Sequence, residues 1–572
     1  MTDMLAGHAI VEVLKAENVK AVFGLPGGHV LGIYDALYDT PSIKNYLVRH
    51  EFTAAAMAAA YFQLTGELAV CLVTAGPGAT NLLTAVTEAY IGSVPMVILA
   101  GRGATDTVFR GASQEVDTNL IFGPVTKLAL RVDRADLLVP ALRQAFQAAR
   151  SGKPGPAIID IPRDLLTHKV NFSVYIPVGL PARISTQDDT LKALAAALHT
   201  AKNPIIIAGG GCVGSDAGAL VTTLAEQLAI PVLTSLSGRG IIADDHPLSA
   251  GGMGAHRNAL SKRLFAEADV VLGLGTRFEE METNWRPGFV PSPGACYIQV
   301  DIDPTELGRS IPANIGIVGD IRTVIEALLP RIADVALPRG GFLTHPRTLN
   351  IKDNLGKIEA EYSEMPKTLP SGLLHPLNVI RRARAIFPRE ATTAFDVGCL
   401  AQHMAGGKAV FPVYQQRSVV SPSSFYGMGY VASGVLAGPI ARPDKPALCF
   451  VGDGSFQMVL PILPVATHYK LGVTWCVLND GALGSIRDIQ EFGMKNRVID
   501  TDFAYQPDFA AIAAGCGCLG VTVRHENEID TALQAALEAN RRGQAAVLDV
   551  HVSRERLQGT FDHYLFYGRA IP

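Results

Sequence analysis

The chain lacks any uninterrupted apolar run near the ~18 residues that cross a bilayer. Its opening residues, Met1-Thr2-Asp3, also lack the basic and apolar regions of a secretory leader. A soluble, cytoplasmic protein is the expectation. Charge of one sign is lacking as well: 49 Lys and Arg against 53 Asp and Glu give a net −4. So even a balance excludes a basic nucleic-acid surface and a polyanionic tail. There is no Cys-x-x-Cys pair. The eight cysteines are scattered, several within apolar stretches such as ALCFVGDG, which excludes a disulfide framework or a structural zinc site. Cys516 and Cys518 read as small buried residues. Charged residues make up only 18% against 48% hydrophobic, which rules out extended disorder and suits large buried sheets in an oligomer.

What is present is repetition of one pattern. Short β-branched runs alternate with Ala/Leu-rich helical stretches, as in parallel α/β sheets covered by helices on both faces. With 572 residues and about 150 per domain, three domains fit. The first (1–185) contains VKAVFGL, LAVCLVTAG, VPMVILAG and PAIIDIP. The second (186–335) contains NPIIIAGGG, IPVLTSL, ADVVLGLG and CYIQVDIDP. A stretch rich in Pro, Gly and charge reads as a linker (336–370), and the third domain (371–572) contains ATTAFDVG, PALCFVGDG, VTWCVLND and AAVLDVHV. Three doubly wound domains are expected, with ligands beyond the carboxyl ends of the strands.

In the third domain Gly452-Asp453-Gly454 follows an apolar run, and Asn479 follows the next after 24 intervening residues. An acid and an amide at neighbouring strand ends supply hard oxygen ligands. With a loop carbonyl from Gly481 they suit a magnesium ion that also grips a diphosphate. This GDG-(24 residues)-N element resembles the thiamine-diphosphate motif of the 2-oxo-acid decarboxylase and carboligase superfamily. The resemblance implies that Asp453, Asn479 and the Gly481 carbonyl bind the metal. It also implies that Gly398, Gly452, Gly454 and Ser455 contact the cofactor, and that Asp480, in place of a second Asn, shapes the turn.

The first domain reads FGLPGGHVLGIYDALYD, RHEFTAAAMAAAYFQLTG and CLVTAGPGATNLLTAV, and resembles the pyrimidine-binding domain of acetohydroxyacid (acetolactate) synthases. The Arg-His-Glu triplet then assigns Glu51 as the acid that shares a proton with the aminopyrimidine. A carboxyl in an apolar pocket, flanked by an Ala-rich helix, suits that exchange. The likeness continues through SGKPGPAIIDIPRDL, IQVDIDP and Gly427-Met428-Gly429, so it spans nearly the whole chain. It implies that Met428 wedges the cofactor into its bent form and that Gly427 offers a carbonyl to the amine.

Three pocket positions depart from the synthases. Ser113, Met281 and Ile489 stand where that family has Phe, Arg and Trp, and loss of the Arg removes a partner for the acceptor's carboxylate. His29 instead resembles a proton-relaying histidine of benzaldehyde lyase. Gln114 matches a glutamine that in both relatives reaches cofactor or substrate, and Lys127 stands at a candidate pocket rim. The Gly209-Gly210-Gly211, GGMGAH and GLGTRF turns of the second domain are compatible with FAD or with no ligand. The TFDHYLFYG tail reads as a lid or a packed terminus. The expected function is a thiamine-diphosphate- and Mg2+-dependent carboligase with an altered acceptor. A lyase or decarboxylase is the alternative, and a non-catalytic cofactor-binding regulator a remote one. Its ligands are a small 2-oxo acid, aldehyde or hydroxy ketone, with no nucleic acid and no membrane. The resemblance implies a homodimer as the smallest active unit, paired into a homotetramer.

Overall fold

The structure, a computed structural model, describes residues 2–108, 110–179, 182–254, 257–283, 285, 288–398 and 404–554. The aromatic tail at 560–568 lies outside the described residues, as does Cys399. No described helix is long and apolar enough to cross a membrane.

Three six-stranded sheets follow one another along the chain. The first contains β2 (Ala21–Leu25), β3 (Lys44–Leu47), β4 (Val70–Val73), β5 (Val97–Arg102), β6 (Leu128–Arg131) and β7 (Ala157–Pro162) in the order β3-β2-β4-β5-β7-β6. The second contains β9 (Pro204–Ala208), β10 (Val232–Thr234), β11 (Ser249–Gly252), β12 (Val270–Leu274), β13 (Cys296–Asp301) and β14 (Ile315–Val318) in the order β11-β10-β9-β12-β13-β14. The third contains β15 (Thr392–Phe395), β16 (Val419–Val420), β17 (Ala447–Gly452), β18 (Val473–Asn479), β19 (Leu519–Val523) and β20 (Ala546–His551) in the order β16-β15-β17-β18-β20-β19. All pairings within these sheets are parallel. Central strands such as β4, β7 and β18 are buried at every residue, as continuous apolar runs covered on both faces should be. A separate antiparallel pair, β1 (Thr2–Leu5) with β8 (Lys169–Phe172), closes the first domain.

The first and third sheets share one winding, so their switch points correspond: the ends of β2 and β4 in one, of β15 and β17 in the other. The middle sheet has the 3-2-1-4-5-6 order of dinucleotide-binding domains. At its switch point the two turns close on each other. A Cβ at Gly209 would lie 2.2 Å from the Gly275 carbonyl oxygen, and one at Gly211 2.7 Å from Gly275 Cα. These glycines are thus required by backbone packing and are no separate mark of a flavin phosphate.

The stretch read as a linker holds a 19-residue helix, Pro346–Glu364, capped by His345, whose ring accepts from the Arg347 N–H. Thr348, Ile351, Leu355 and Ile358 recur at helical spacing and bury themselves against the second domain's core. The flanking Pro and Gly dominated the composition and hid that period.

The first and third domains are fused within the chain. Helix Glu51–Thr65, apolar on every side, shares a core with helix Tyr430–Gly434 and the turns that follow it. Small residues make the close approach possible: a Cβ at Gly434 would lie 3.1 Å from the Ala56 carbonyl and 3.2 Å from Ala60 Cβ. Leu47 N–H donates to the Tyr469 hydroxyl (2.6 Å), and Arg417 donates to the Phe62 and Gln63 carbonyls.

Candidate active site

At the first switch point, the turn after β2 places His29 against Thr74, which follows β4; His29 Nδ1 and Thr74 Oγ1 are 3.0 Å apart. Burial, aided by Arg163, lowers the His29 pKa, so a neutral ring is favoured. Glu51 opens its helix, capped by His50, and is buried. Asn81 Nδ2 donates to its Oε2 (2.9 Å), while Oε1 is turned to the glycine turn, 3.6 Å from where a Cβ at Gly78 would stand. Gln114 borders the same turn in a left-handed conformation (φ 62°). A Cβ at Gly76 would come 2.7 Å from the Gln114 carbonyl, and the Gln114 side chain is exposed. The structure thus gathers His29, Glu51 and Gln114 around one carboxyl edge.

Lys127 does not belong there. It precedes β6 and so sits at the amino edge of the sheet, donating to the Ser151 carbonyl and packing its stem against Gly155. A residue before a parallel strand cannot rim a site at the strands' other ends.

At the third switch point a cavity is lined by Gly398, Met428, Gly452, Asp453, Gly454 and Ser455, together with Asp480, Ala482, His375 and Arg554. Asp453 begins helix Asp453–Gln457 and is buried. Its Oδ1 accepts from the Gly454 N–H (3.0 Å), and its Oδ2 from the Gly481 N–H (3.0 Å) and Gln506 Nε2 (2.6 Å). Burial pushes its pKa up and these donors pull it back. The Asp480 pKa is pushed up to about 7, by burial first and then by the neighbouring Asp453 carboxylate. Two close acids of this kind, one buried and one half-buried, suit a divalent cation. Met428 lies over the turn, its Cε 3.7 Å from where a Cβ at Gly454 would stand.

Two sequence-read ligands are corrected. Asn479 does not line the cavity; it is buried as the last residue of β18 and its Nδ2 donates to Asp549 Oδ1 (2.9 Å). Gly481 also stays outside it, since its N–H serves Asp453 and its carbonyl accepts from the Phe503 N–H (2.9 Å). Because side chains alternate along a strand, the next residue out, Asp480, faces the cavity, followed by Ala482. The motif's spacing located the right strand end but not which residue turns outward. Asn81, His375 and Asp396 were also missed. Among the described residues no group of three His, Cys, Asp or Glu side chains converges as a metal cluster.

No residue of the first domain lines this cavity.

Three family models match the chain: "Thiamine pyrophosphate enzyme, N-terminal TPP binding domain" over residues 4–121, the central domain of the same enzymes over 191–328, and their "C-terminal TPP binding domain" over 396–550. Similar over nearly its full length are three large subunits of acetolactate synthase. The isozyme 3 subunit of Escherichia coli (strain K12) is 32% identical over 558 residues, 96% of this chain and 95% of the relative. That of Haemophilus influenzae is 31% identical over the same length and shares. The acetolactate synthase large subunit of Corynebacterium glutamicum is 32% identical over 549 residues, 94% of this chain and 86% of the relative.

Proposed function

The chain belongs to the thiamine pyrophosphate enzymes, and on that footing we propose that it is a thiamine-diphosphate- and magnesium-dependent carboligase of the acetolactate synthase kind with an altered acceptor. The observation that carries the reading is the cavity beside Met428, where Asp453 and Asp480 bring two carboxyl groups together next to a glycine turn. When bound, thiamine diphosphate supplies a carbon nucleophile that makes or breaks a C–C bond next to a carbonyl.

The residues divide the work. Asp453 and Asp480, with a loop carbonyl from Ala482, would hold the metal, and glycines 398, 452 and 454 would leave room for the diphosphate. Glu51 holds and returns a proton at Oε1, because Asn81 occupies Oε2. His29, anchored through Nδ1 on Thr74, presents Nε2 as a neutral relay to the reacting oxygen. Gln114, beside the same turn, contacts substrate. Met428 would support the bound cofactor, and the Gly427 carbonyl, which accepts from the Tyr430 N–H (3.2 Å), would have a second lone pair for the cofactor's amine. The middle domain is compatible with FAD or with no ligand, since packing alone accounts for the Gly209, Gly211 and Gly275 turns.

That no first-domain residue lines the third-domain cavity of the same chain supports a reading in which Glu51 serves a cofactor held by a second copy, as the family resemblance implies. The smallest active unit is then a two-fold dimer with two equivalent sites, paired again into a tetramer.

Ser113, Met281 and Ile489 remove an aromatic, a cation and a second aromatic from the acceptor's surroundings, and this sets the acceptor apart from a 2-oxo acid held by its carboxylate. His29 favours a second reading, a lyase of the benzaldehyde-lyase kind. Mass spectrometry of the products separates them. Condensation of pyruvate with an aldehyde supports the carboligase; cleavage of 2-hydroxy ketones without condensation supports the lyase. Turnover unaffected by removing thiamine diphosphate would end both.

A further inference from the structure

Glu88 has no part in the reaction as set out above, yet it is among the most deeply buried acids of the chain, 1% exposed. It lies on helix Leu83–Ile91 of the first domain, and among the described residues no lysine or arginine pairs with it. Its partners come from the third domain instead. Oε1 accepts from the Ser423 N–H, and Oε2 from the Gly427 N–H at 2.9 Å. Glycine at 427 admits this contact, since a Cβ there would already be 3.3 Å from Glu88 Oε2.

On the other side of Met428 stands a second buried acid, Asp396 at the end of β15. One of its oxygens accepts from the Val397 and Gly429 N–H groups (2.9 and 3.1 Å), the other from the Ala432 N–H (3.0 Å). Met428 is therefore held by its two neighbours, Gly427 by a carboxylate of the first domain and Gly429 by one of the third. Burying an unpaired acid is costly, and simple packing between the domains needs none. Charge-assisted bonds to two backbone donors fix a loop more firmly than neutral ones.

We infer that Glu88 is a positioning residue through which the first domain fixes the backbone of Met428, and with it the side chain that supports the cofactor, in the third domain of the same chain. The inference rests on the proposed function, because it takes Met428 to touch the cofactor. Glutamine cannot replace the acid: it offers one oxygen to two N–H groups and sets its own amide against the other.

The test is Glu88→Gln in the full-length protein loaded with thiamine diphosphate and Mg2+, with proton exchange at the cofactor's C2 read beside cofactor affinity and melting temperature. Exchange should slow about tenfold or more while the dissociation constant moves less than about threefold, the split expected when a reacting group is displaced but the anchor is not. Gln63→Ala is the control. Gln63 binds the same segment at Ser421 through its Nε2 and Oε1, so its loss loosens the interface without touching Gly427, and exchange should stay near wild type. Unchanged exchange in Glu88→Gln, or equal slowing in Gln63→Ala, overturns the inference. In the unmodified holoenzyme, backbone hydrogen exchange over 421–429 should be slow. Rapid exchange there overturns the inference even if Glu88→Gln does not fold, and slow exchange then supports it. Glu51→Gln tells the two readings apart: if it also leaves C2 exchange unchanged, the proposed function is what fails.

Discussion

At the scale of the residue, the sharpest consequence concerns which side chains leave the strand ends. Asp480→Asn keeps an oxygen but removes a charge from the metal site, and should weaken Mg2+ binding about tenfold or more, a change of one carboxylate beside a divalent ion. Asn479→Ala should leave Mg2+ affinity nearly unchanged, yet cost about 1–3 kcal/mol of stability by stripping a buried partner from Asp549. Calorimetric titration and denaturant unfolding of both variants check this, and the reverse pattern would restore Asn479 as the ligand. Glu51→Gln should keep fold and metal binding and lower turnover by about two orders of magnitude or more, the scale of positioned proton transfer. His375, buried in the cavity wall, has its pKa pushed down to about 4 by burial alone. The unfolded chain protonates this ring near 6.5, so its contribution is whole above that pH and is lost as pH falls toward 4. The melting temperature should drop over that window, and less steeply in His375→Gln. His29, Glu51, Asp453 and Met428 were legible because each sits in a short motif tied to a turn. Asn81, Asp396 and Glu88 were not, since their roles come from partners far away in sequence.

At the scale of the element, alternation of apolar runs and helices was enough to read three parallel sheets, because strands buried on both faces carry their environment in their composition. Strand order was not legible, and it is the order that aligns the two switch points. The helix Pro346–Glu364 was hidden because its apolar period is sparse and its flanks are rich in Pro and Gly. The Ala-rich stretch after Glu51 gave away a buried helix but not its neighbour across the domain boundary. Gly434→Val should cost about 1–3 kcal/mol by forcing that neighbour away, whereas Gly356→Ala, with open space around its Cα, should be neutral or stabilising by up to about 1 kcal/mol. Thermal unfolding of the pair measures the contrast, and equal effects would mean that the helix crossing is not tightly packed.

At the scale of the whole molecule, one chain fuses its first and third domains through a shared core yet leaves Glu51 outside the cavity of Asp453 and Met428. Sequence separation between Glu51 and Asp453 suggested two domains but gave no reason to place them on two chains; the proposed dimer rests on the family resemblance and on a cavity that no first-domain residue lines. Subunit complementation tests that division most directly. Glu51→Gln chains are mixed with Asp453→Ala chains under conditions of subunit exchange verified by native mass spectrometry, and carboligation is measured. In each mixed dimer one site receives both defects and the other neither, so two inactive preparations should recover about a quarter of wild-type activity at equal proportions. Exchange without any recovered activity would contradict the account, because each chain would then be building its site alone.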